Sequence, residues 1–492
     1  MSVLNHPYST IQPFYKIRSV IIKRVINLCK RFLGKKPKQK INPSLFPGPV
    51  VLSRDQHLVS RKKISNSALK VLYRLNSGGY QAYLVGGGVR DIILGLEPKD
   101  FDIATNATPE QINDLFKNCR LIGRRFRLAH IVFGREVIEV ATFRGHHQST
   151  PENDENCKNT SKQSEQGMLL RDNIYGSIEE DAERRDFTIN ALYYSAIDFN
   201  VHDFANGVQD IHDRKIRLIG DPETRYREDP VRMLRAIRFA TKLDMVISKE
   251  TETPIRELAY LLENIPAARM FEEFLKLFIS GKAVANFHML RDYNLSQYFF
   301  PAAEQLINQA SHDYVDHFIA LAMKNTDNRI KTNQRVTPAF LIAAVLWYPI
   351  QIHIQRLKSQ TQLTPQDAFF AAYNEIMSEQ QRSIAIPKRF QAMMKDIWIL
   401  QEKLERRDGK RAFAAFEHPK FRAGYDFLLI RGEIEGGSVQ ILATWWTDFQ
   451  KATEETRIQM INLAPSSKSE TRRSPRKRRK PQSKTPSDTS IS

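Results

Sequence analysis

LVGGGVRDIILGLEPKDFDIA, residues 84–104, sets a glycine triplet between a short apolar stretch and the start of a helix, then follows it with two aspartates. Gly86, Gly87 and Gly88 let the backbone turn tightly and aim successive N–H groups at an anion, and the helix beginning near Val89 adds its positive end. Arg90 stands where it can add a charge-assisted fork to a bound phosphate. A glycine triplet alone is weak, because most such turns bind nothing. The aspartates strengthen it. In Asp100-Phe101-Asp102, residues i and i+2 of a strand face the same way, so both carboxylates are expected on one face, with Phe101 and Ile103 entering the core on the other.

Two adjacent carboxylates repel each other unless a cation lies between them, and hard oxygen ligands of this kind suit Mg²⁺, which bridges to phosphates. A third acid is at hand in Val137-Ile138-Glu139-Val140, where Glu139 is the one charge in an otherwise apolar strand. A lone Glu there is costly to bury unless it meets a metal or a base. Asp100, Asp102 and Glu139 are thus the expected catalytic and metal-binding residues. The two aspartates would hold two Mg²⁺ ions and Glu139 the catalytic one, a set suited to attack of a hydroxyl on a phosphate without a side-chain nucleophile.

Around this segment, residues from about Ile64 to Asp198 alternate helical and strand-like stretches. The pattern predicts helices over Ala68–Leu75 and Pro109–Phe116, the second opened by a Thr108 cap, and strands over Tyr83–Val85 and Phe101–Ala104. Ile131–Phe133 and Val137–Phe143, parted by Gly134, read as a hairpin. His146 to Gln166 is polar and almost free of aliphatics, which predicts a mobile loop, with His146 and His147 as loop residues and not ligands. Beyond Asp221 the pattern is almost wholly helical through Phe449. There Arg232, Arg235 and Arg238 recur every three residues, opposite Val231, Leu234 and Ile237.

At 492 residues the chain is too long for one core. No stretch approaches the roughly 20 apolar residues of a membrane-spanning helix. The net charge of +19 is concentrated at the ends: residues 1–45 hold ten Lys/Arg and no acid, and residues 465–492 hold nine Lys/Arg against Glu470 and Asp488. Flexible basic arms around a near-neutral body fit attachment to a polyanion, and Arg476, Lys477, Arg478 and Arg479 form the densest run. Tyr15–Leu33 reads as a basic amphipathic helix for an anionic membrane surface, for RNA or for the protein's own body. The only cysteines are Cys29, Cys119 and Cys157, with no CxxC pair, which fits a reducing cytoplasm and neither a zinc site nor a disulfide framework.

GGGVRD with DFD, RRDFTINAL at 184–192 and REDPVRMLRAIRF at 227–239 together resemble the class II tRNA nucleotidyltransferase/poly(A) polymerase family, which comprises bacterial poly(A) polymerases and CCA-adding enzymes. LIGRRFRLAHIVFG at 121–134, IEVATFRGHH at 138–147, ENIPAARMFEEFLKLF at 263–278, IPKRF at 386–390, EHPKFRAGYD at 417–426 and the basic tail are similar to its poly(A) polymerase branch, so the likeness covers nearly the whole chain. The resemblance implies an α+β fold: a polymerase-beta-like nucleotidyltransferase head with a small mixed or antiparallel sheet, then all-α neck and body. The expected divisions are 1–45 basic extension, 46–198 head, 199–290 neck, 291–464 body and 465–492 basic tail.

The same resemblance implies transfer of AMP from ATP to single-stranded RNA 3′ ends, marking RNA for decay in company with RNA-decay proteins. Arg185, Asp186 and Asn190 would hold ribose and triphosphate, and Glu228, Asp229 and Arg232 would read the incoming base, with Arg235 beside them. Arg124, Arg125 and Arg127, interleaved with Phe126, are expected to grip the RNA strand together with the tail. A CCA-adding enzyme and a non-catalytic RNA-binding protein are the rival readings. The expected location is the cytoplasm, at the inner face of the membrane through residues 15–33. Deleting residues 1–40 is expected to move the chain from the membrane to the soluble fraction; an unchanged partition would contradict the membrane reading of that helix.

Overall fold

Strand β3 (Asp102–Thr105) runs parallel to β6 (Glu136–Thr142), and this pairing sets Asp102 directly beside Glu139. The computed structural model describes residues 48–123, 127–145, 174–309 and 312–464, with the backbone alone over 161–163 and 169–172. Several expectations fall outside these residues: the Tyr15–Leu33 helix, Arg124, Arg125, Phe126, His146, His147, and Arg476, Lys477, Arg478 and Arg479 of the tail.

The head is built on an eight-stranded mixed sheet. With β1 (Val50–Leu52), β2 (Ala82–Val85), β4 (Cys119–Ile122), β5 (Leu128–Phe133), β9 (Leu192–Ser195) and β10 (Val201–Asp203), its order is β1-β10-β9-β2-β3-β6-β5-β4. Every neighbouring pair is antiparallel except β3 and β6. The sheet is therefore mixed, as expected, but larger than a small one, and it runs on past Asp198 to Asp203. Inside the stretch expected to be a loop, β7 (Ser161–Gln163) forms a strand that pairs antiparallel with β8 (Leu169–Asp172) just beyond it. Polar composition does not forbid such a ribbon, because the hydrogen bonds of an antiparallel ladder are made by the backbone.

Period-2 alternation decides which face each residue serves. Leu84, Ile103, Ile138, Val140 and Tyr194 point into the main core beneath the helix Asn66–Ser77, whose Ser65 cap accepts the Ala68 N–H at 3.1 Å. Val85, Ala104 and Tyr193 point the other way and pack with Phe143, Ala182 and Phe204. The expected Thr108 cap forms a full capping box with Gln111 at the start of Pro109–Leu115. Strand β3 begins only at Asp102, so Asp100 and Phe101 precede it.

Beyond Asp221 the described chain is helical apart from β12 (Val246–Ile247), which pairs parallel with β11 (Lys215–Ile216) upstream. The main core continues from the head into the helices up to Ile430, and a second cluster around Trp446, Phe421 and Leu428 closes the C-terminal end. Buried indoles are satisfied: Trp398 Nε1 donates to the Ala343 carbonyl at 3.1 Å and Trp446 Nε1 to that of Leu404 at 2.9 Å. Among the described residues no single helix is long and apolar enough to cross a membrane. One bent pair, Pro338–Val345 with Trp347–Gln360, meets length and composition together. Its first member is largely buried against neighbouring helices.

The end of β10 is locked to the 186–190 segment. The buried Asp203 carboxylate accepts the N–H groups of Gly207 and Val208, each at 2.8 Å, capping the short helix Gly207–His212. Gly207 lies so close to the Thr188 carbonyl that a Cβ there would sit 2.2 Å from its oxygen. Gly207→Ala is therefore expected to force the two backbones apart at roughly 1–3 kcal/mol, seen as a lower midpoint of thermal unfolding; an unchanged midpoint would contradict this packing.

Candidate active site

Asp102 and Glu139 open onto a cleft of about 550 Å³ between the head sheet and the helices that follow it. Adjacent strands stand about 4.8 Å apart, so carboxylates in register on them are close neighbours. Burial, then the Glu139 charge, push the Asp102 carboxyl up to about 6, and Asp100 adds to the effect. Asp102 is nonetheless open to solvent, because it faces the cleft while protein surrounds it on other sides.

Asp100 differs from its expected place. It is exposed, precedes the strand and is not among the residues lining the cleft, although its charge is felt at Asp102. Among the described residues no group of three His, Cys, Asp or Glu side chains is gathered as a metal cage. The donor set still fits a hard divalent cation: two oxygen ligands side by side, a third nearby, and mutual repulsion that a positive charge relieves. Glu139 also has His130 Nε2 at 3.5 Å from its Oε2.

The rest of the lining carries more cations than acids, with Asp181, Asp186, Asp229, Glu272 and Glu273 set among them. Arg144, Arg184, Arg185, Arg225, Arg232, Arg235, Arg269 and Lys276 all line the cleft. Burial and the neighbouring arginines push the Arg184 and Arg225 guanidinia down to about 10. A polyanion placed among them would relieve that crowding.

Each cation is held in place by specific partners. The helix Ile178–Arg184, opened by a Ser177/Glu180 capping box, delivers Asp181, Arg184 and Arg185. Arg185 Nε donates to the Tyr193 hydroxyl at 2.7 Å and Nη2 to Asp181 at 3.1 Å, while Tyr193 donates to Asp181 at 2.6 Å. Glu228 accepts from Arg225 at 2.8 Å and Arg232 at 2.9 Å. Asp229 accepts from Arg269 at 2.7 Å and from the Val231 N–H at 3.3 Å, so it caps the next helix and also faces the cleft. Of the expected base-reading residues, Asp229 and Arg232 line the cleft, whereas Glu228 does not and instead braces Arg232.

Arg90 is a correction. Its side chain is buried and committed to Asp91 at 2.6 Å and to Asn190 at 2.7 Å, and it lies over the Phe239 ring, so it offers no fork to a phosphate. The charge of an arginine in the sequence does not distinguish one that binds from one that braces. Asn190 in turn donates to Asp186 at 3.0 Å, and Asp186 is ion-paired with Arg235. A continuous strut thus joins the glycine turn, the 184–192 motif and the Val231–Leu243 helix.

Gly86 has φ +66°, a conformation that a side chain resists, and its ideal Cβ would lie 3.3 Å from Arg185. Val85 lines the cleft but Gly86 and Gly87 do not. Arg127 is exposed and paired with Glu110, next to the lining residue Leu128. Arg144, Asp181, Arg225, Arg269, Glu272, Glu273 and Lys276 were not singled out in the sequence. Arg225 stands three residues before Glu228, and Arg269 recurs in the 263–278 segment, which are the only local signals that could have found them.

Three segments match family profiles: residues 82–217 the poly A polymerase head domain, 244–307 the probable RNA and SrmB-binding site of polymerase A, and 361–482 the polymerase A arginine-rich C-terminus. Poly(A) polymerase I of Salmonella typhimurium is 52% identical over 93% of this chain and 98% of its own. A CCA-adding enzyme of Lactobacillus helveticus is 36% identical over 47% of this chain and 54% of its own. The CCA-adding enzyme of Bacillus stearothermophilus, solved with CTP, has a TM-score of 0.52 at 23% identity, covering 78% of this chain and 82% of its own, and so shares the fold.

Burial would raise the Asp186 carboxyl, but Arg235, Asn190 and the Phe187 N–H overcome it and hold it well below the usual carboxylate range. A depressed folded-state value gives stability that is full above the unfolded value, roughly pH 4, and is lost as pH falls below it. Asp186→Asn is expected to destabilise the protein by about 3 kcal/mol at pH 7. The gap from the parent protein should narrow below pH 4 in chemical unfolding; a gap independent of pH would contradict the ion pair.

Proposed function

The chain belongs to the bacterial poly(A) polymerase I family, and from that premise we propose that this polynucleotide adenylyltransferase extends RNA 3′ ends without a template, transferring AMP from ATP and releasing pyrophosphate. The observation that carries the reading is the pairing of acidic and cationic groups in one cleft: Asp102 and Glu139 on the sheet, arginines elsewhere in the lining. That arrangement suits a nucleoside triphosphate with its divalent cation. Relatedness supports a divalent metal in general terms; two Mg²⁺ ions are our finer reading.

Asp102 and Glu139, with Asp100 beside them, would hold the cations, whose chemistry is to lower the pKa of the RNA 3′-hydroxyl and neutralise charge on departing pyrophosphate. Arg184, Arg185 and Arg225 would bind the triphosphate oxygens. Arg185 is preset by Tyr193 and Asp181, so it loses little freedom on binding. Asp229 and Arg232 would read the base edge, one accepting and one donating, with Glu228 keeping Arg232 in place. Asp186, Asn190 and Arg90 act as positioning residues, since their polar atoms are engaged with one another and with Arg235. Gly86, which does not itself line the cleft, would leave room for Arg185 to pass close beside the turn.

The primer would be held by the helical second half, by Arg124, Arg125 and Arg127 and by the tail cations Arg476, Lys477, Arg478 and Arg479. Similarity of residues 244–307 to a region described as a probable RNA and SrmB-binding site supports RNA, and a protein partner, in that part of the chain. A role in RNA decay, a cytoplasmic site of action and the division into head, neck and body belong to the same proposal. Asp102→Ala and Glu139→Ala are expected to reduce AMP incorporation into oligo(A) by about 1,000-fold, the equivalent of several kcal/mol of lost transition-state stabilisation. Primer binding should be retained. Elongation by Asp102→Ala near the parent rate would show that the catalytic assignment is wrong.

A further inference from the structure

A second cavity, of about 640 Å³, opens in the helical body between the end of the Asp313–Lys331 helix and the Phe421–Glu435 helix. Its volume is that of a small-molecule site. Phe340, Met393 and Leu429 supply an apolar lining, with Phe340 half-buried and Leu429 exposed. Cations surround it. Arg329 and Arg422 share a single carboxylate, Asp426, at 2.8 and 3.0 Å. Arg335 and Lys420 also line the cavity, and neither has an acidic partner among the described residues. Four cations against one carboxylate leave an unneutralised positive charge beside an apolar, partly aromatic surface.

We propose that this cavity holds one nucleotide of the RNA strand upstream of the growing end, its base against Phe340 and Met393 and its phosphate among Arg335, Lys420 and Arg422. The inference rests on the adenylyl-transfer reading and adds a second, separate RNA contact to it. Aromatic and apolar surface flanked by cations is the chemistry that takes an unstacked base with its phosphate. The chain's own basic ends are unsuitable occupants, because residues 1–45 and 465–492 carry the same sign of charge as the cavity.

The test combines labelling of the unaltered protein with one variant. Acetylation of Lys420, followed by mass spectrometry in the absence of ATP, is expected to fall when oligo(A) is added and to be unaffected by AMP at the same nucleotide concentration. Equal labelling with and without oligo(A) would overturn the proposal, and equal protection by AMP would overturn its assignment to an RNA strand in favour of a free nucleotide. Arg335→Ala/Lys420→Ala is expected to weaken oligo(A) binding roughly tenfold or more at low salt and to lower the slope of log Kd against log salt by about 0.7, the value for one single-strand phosphate contact. The KM for ATP at saturating primer should be unchanged. An unaltered Kd and slope would overturn the proposal while ATP-dependent extension continues; a parent protein that binds oligo(A) but adds no AMP would instead sink the catalytic reading.

Discussion

Repulsion between like charges governs this protein's central cleft. Asp102 and Glu139 are fixed side by side by the one parallel pairing in an otherwise antiparallel sheet, and burial together with the Glu139 charge raises the Asp102 carboxyl. In the same cleft, burial first and neighbouring arginines second push the Arg184 and Arg225 guanidinia down. Neither set of charges is comfortable alone. A cation relieves the first and a polyphosphate the second, so a metal-bound nucleoside triphosphate is complementary to both at once.

Holding such a cleft open needs rigid supports, and the protein supplies them from behind. Arg90, Asn190, Asp186 and Arg235 form a chain of buried hydrogen bonds and ion pairs that ties the glycine turn to the helix carrying Arg232. Arg90, Arg235 and Arg238 all lie against the Phe239 ring. Glu228 clasps Arg225 and Arg232 in the same way, and Asp181 with Tyr193 holds Arg185. Residues that look alike in the linear sequence therefore divide into those that face the cleft and those that brace it.

That division explains what the sequence disclosed. The strand, turn and helix around Gly86 were legible because glycine and period-2 alternation are local signals. Glu139 stood out as a lone charge in an apolar strand, and the family resemblance linked three distant motifs into one site. Its register opposite Asp102 was not legible, because parallel pairing joins segments far apart and leaves no local mark. Nor was the fate of Arg90, since burial beside Asp91 and Asn190 depends on how the head meets the following helix. Arg144 and Arg269 escaped notice for the same reason. The β7–β8 ribbon has a composition that also suits a loop, and Asp100 lies before β3, which begins at Asp102, because a strand's first residue leaves no mark in an Asp-Phe-Asp triplet.

Asp229 and Arg232, the residues we propose to read the base, present an acceptor and a donor that adenine and cytosine can both engage. The most direct measurement is incubation of the full chain with each nucleoside triphosphate singly, on an unstructured RNA and on a tRNA lacking its CCA end. Extension of the unstructured RNA with ATP alone, and little addition from CTP on either substrate, is the expected result. Addition of CTP confined to the tRNA, with no long extension from ATP, would contradict it.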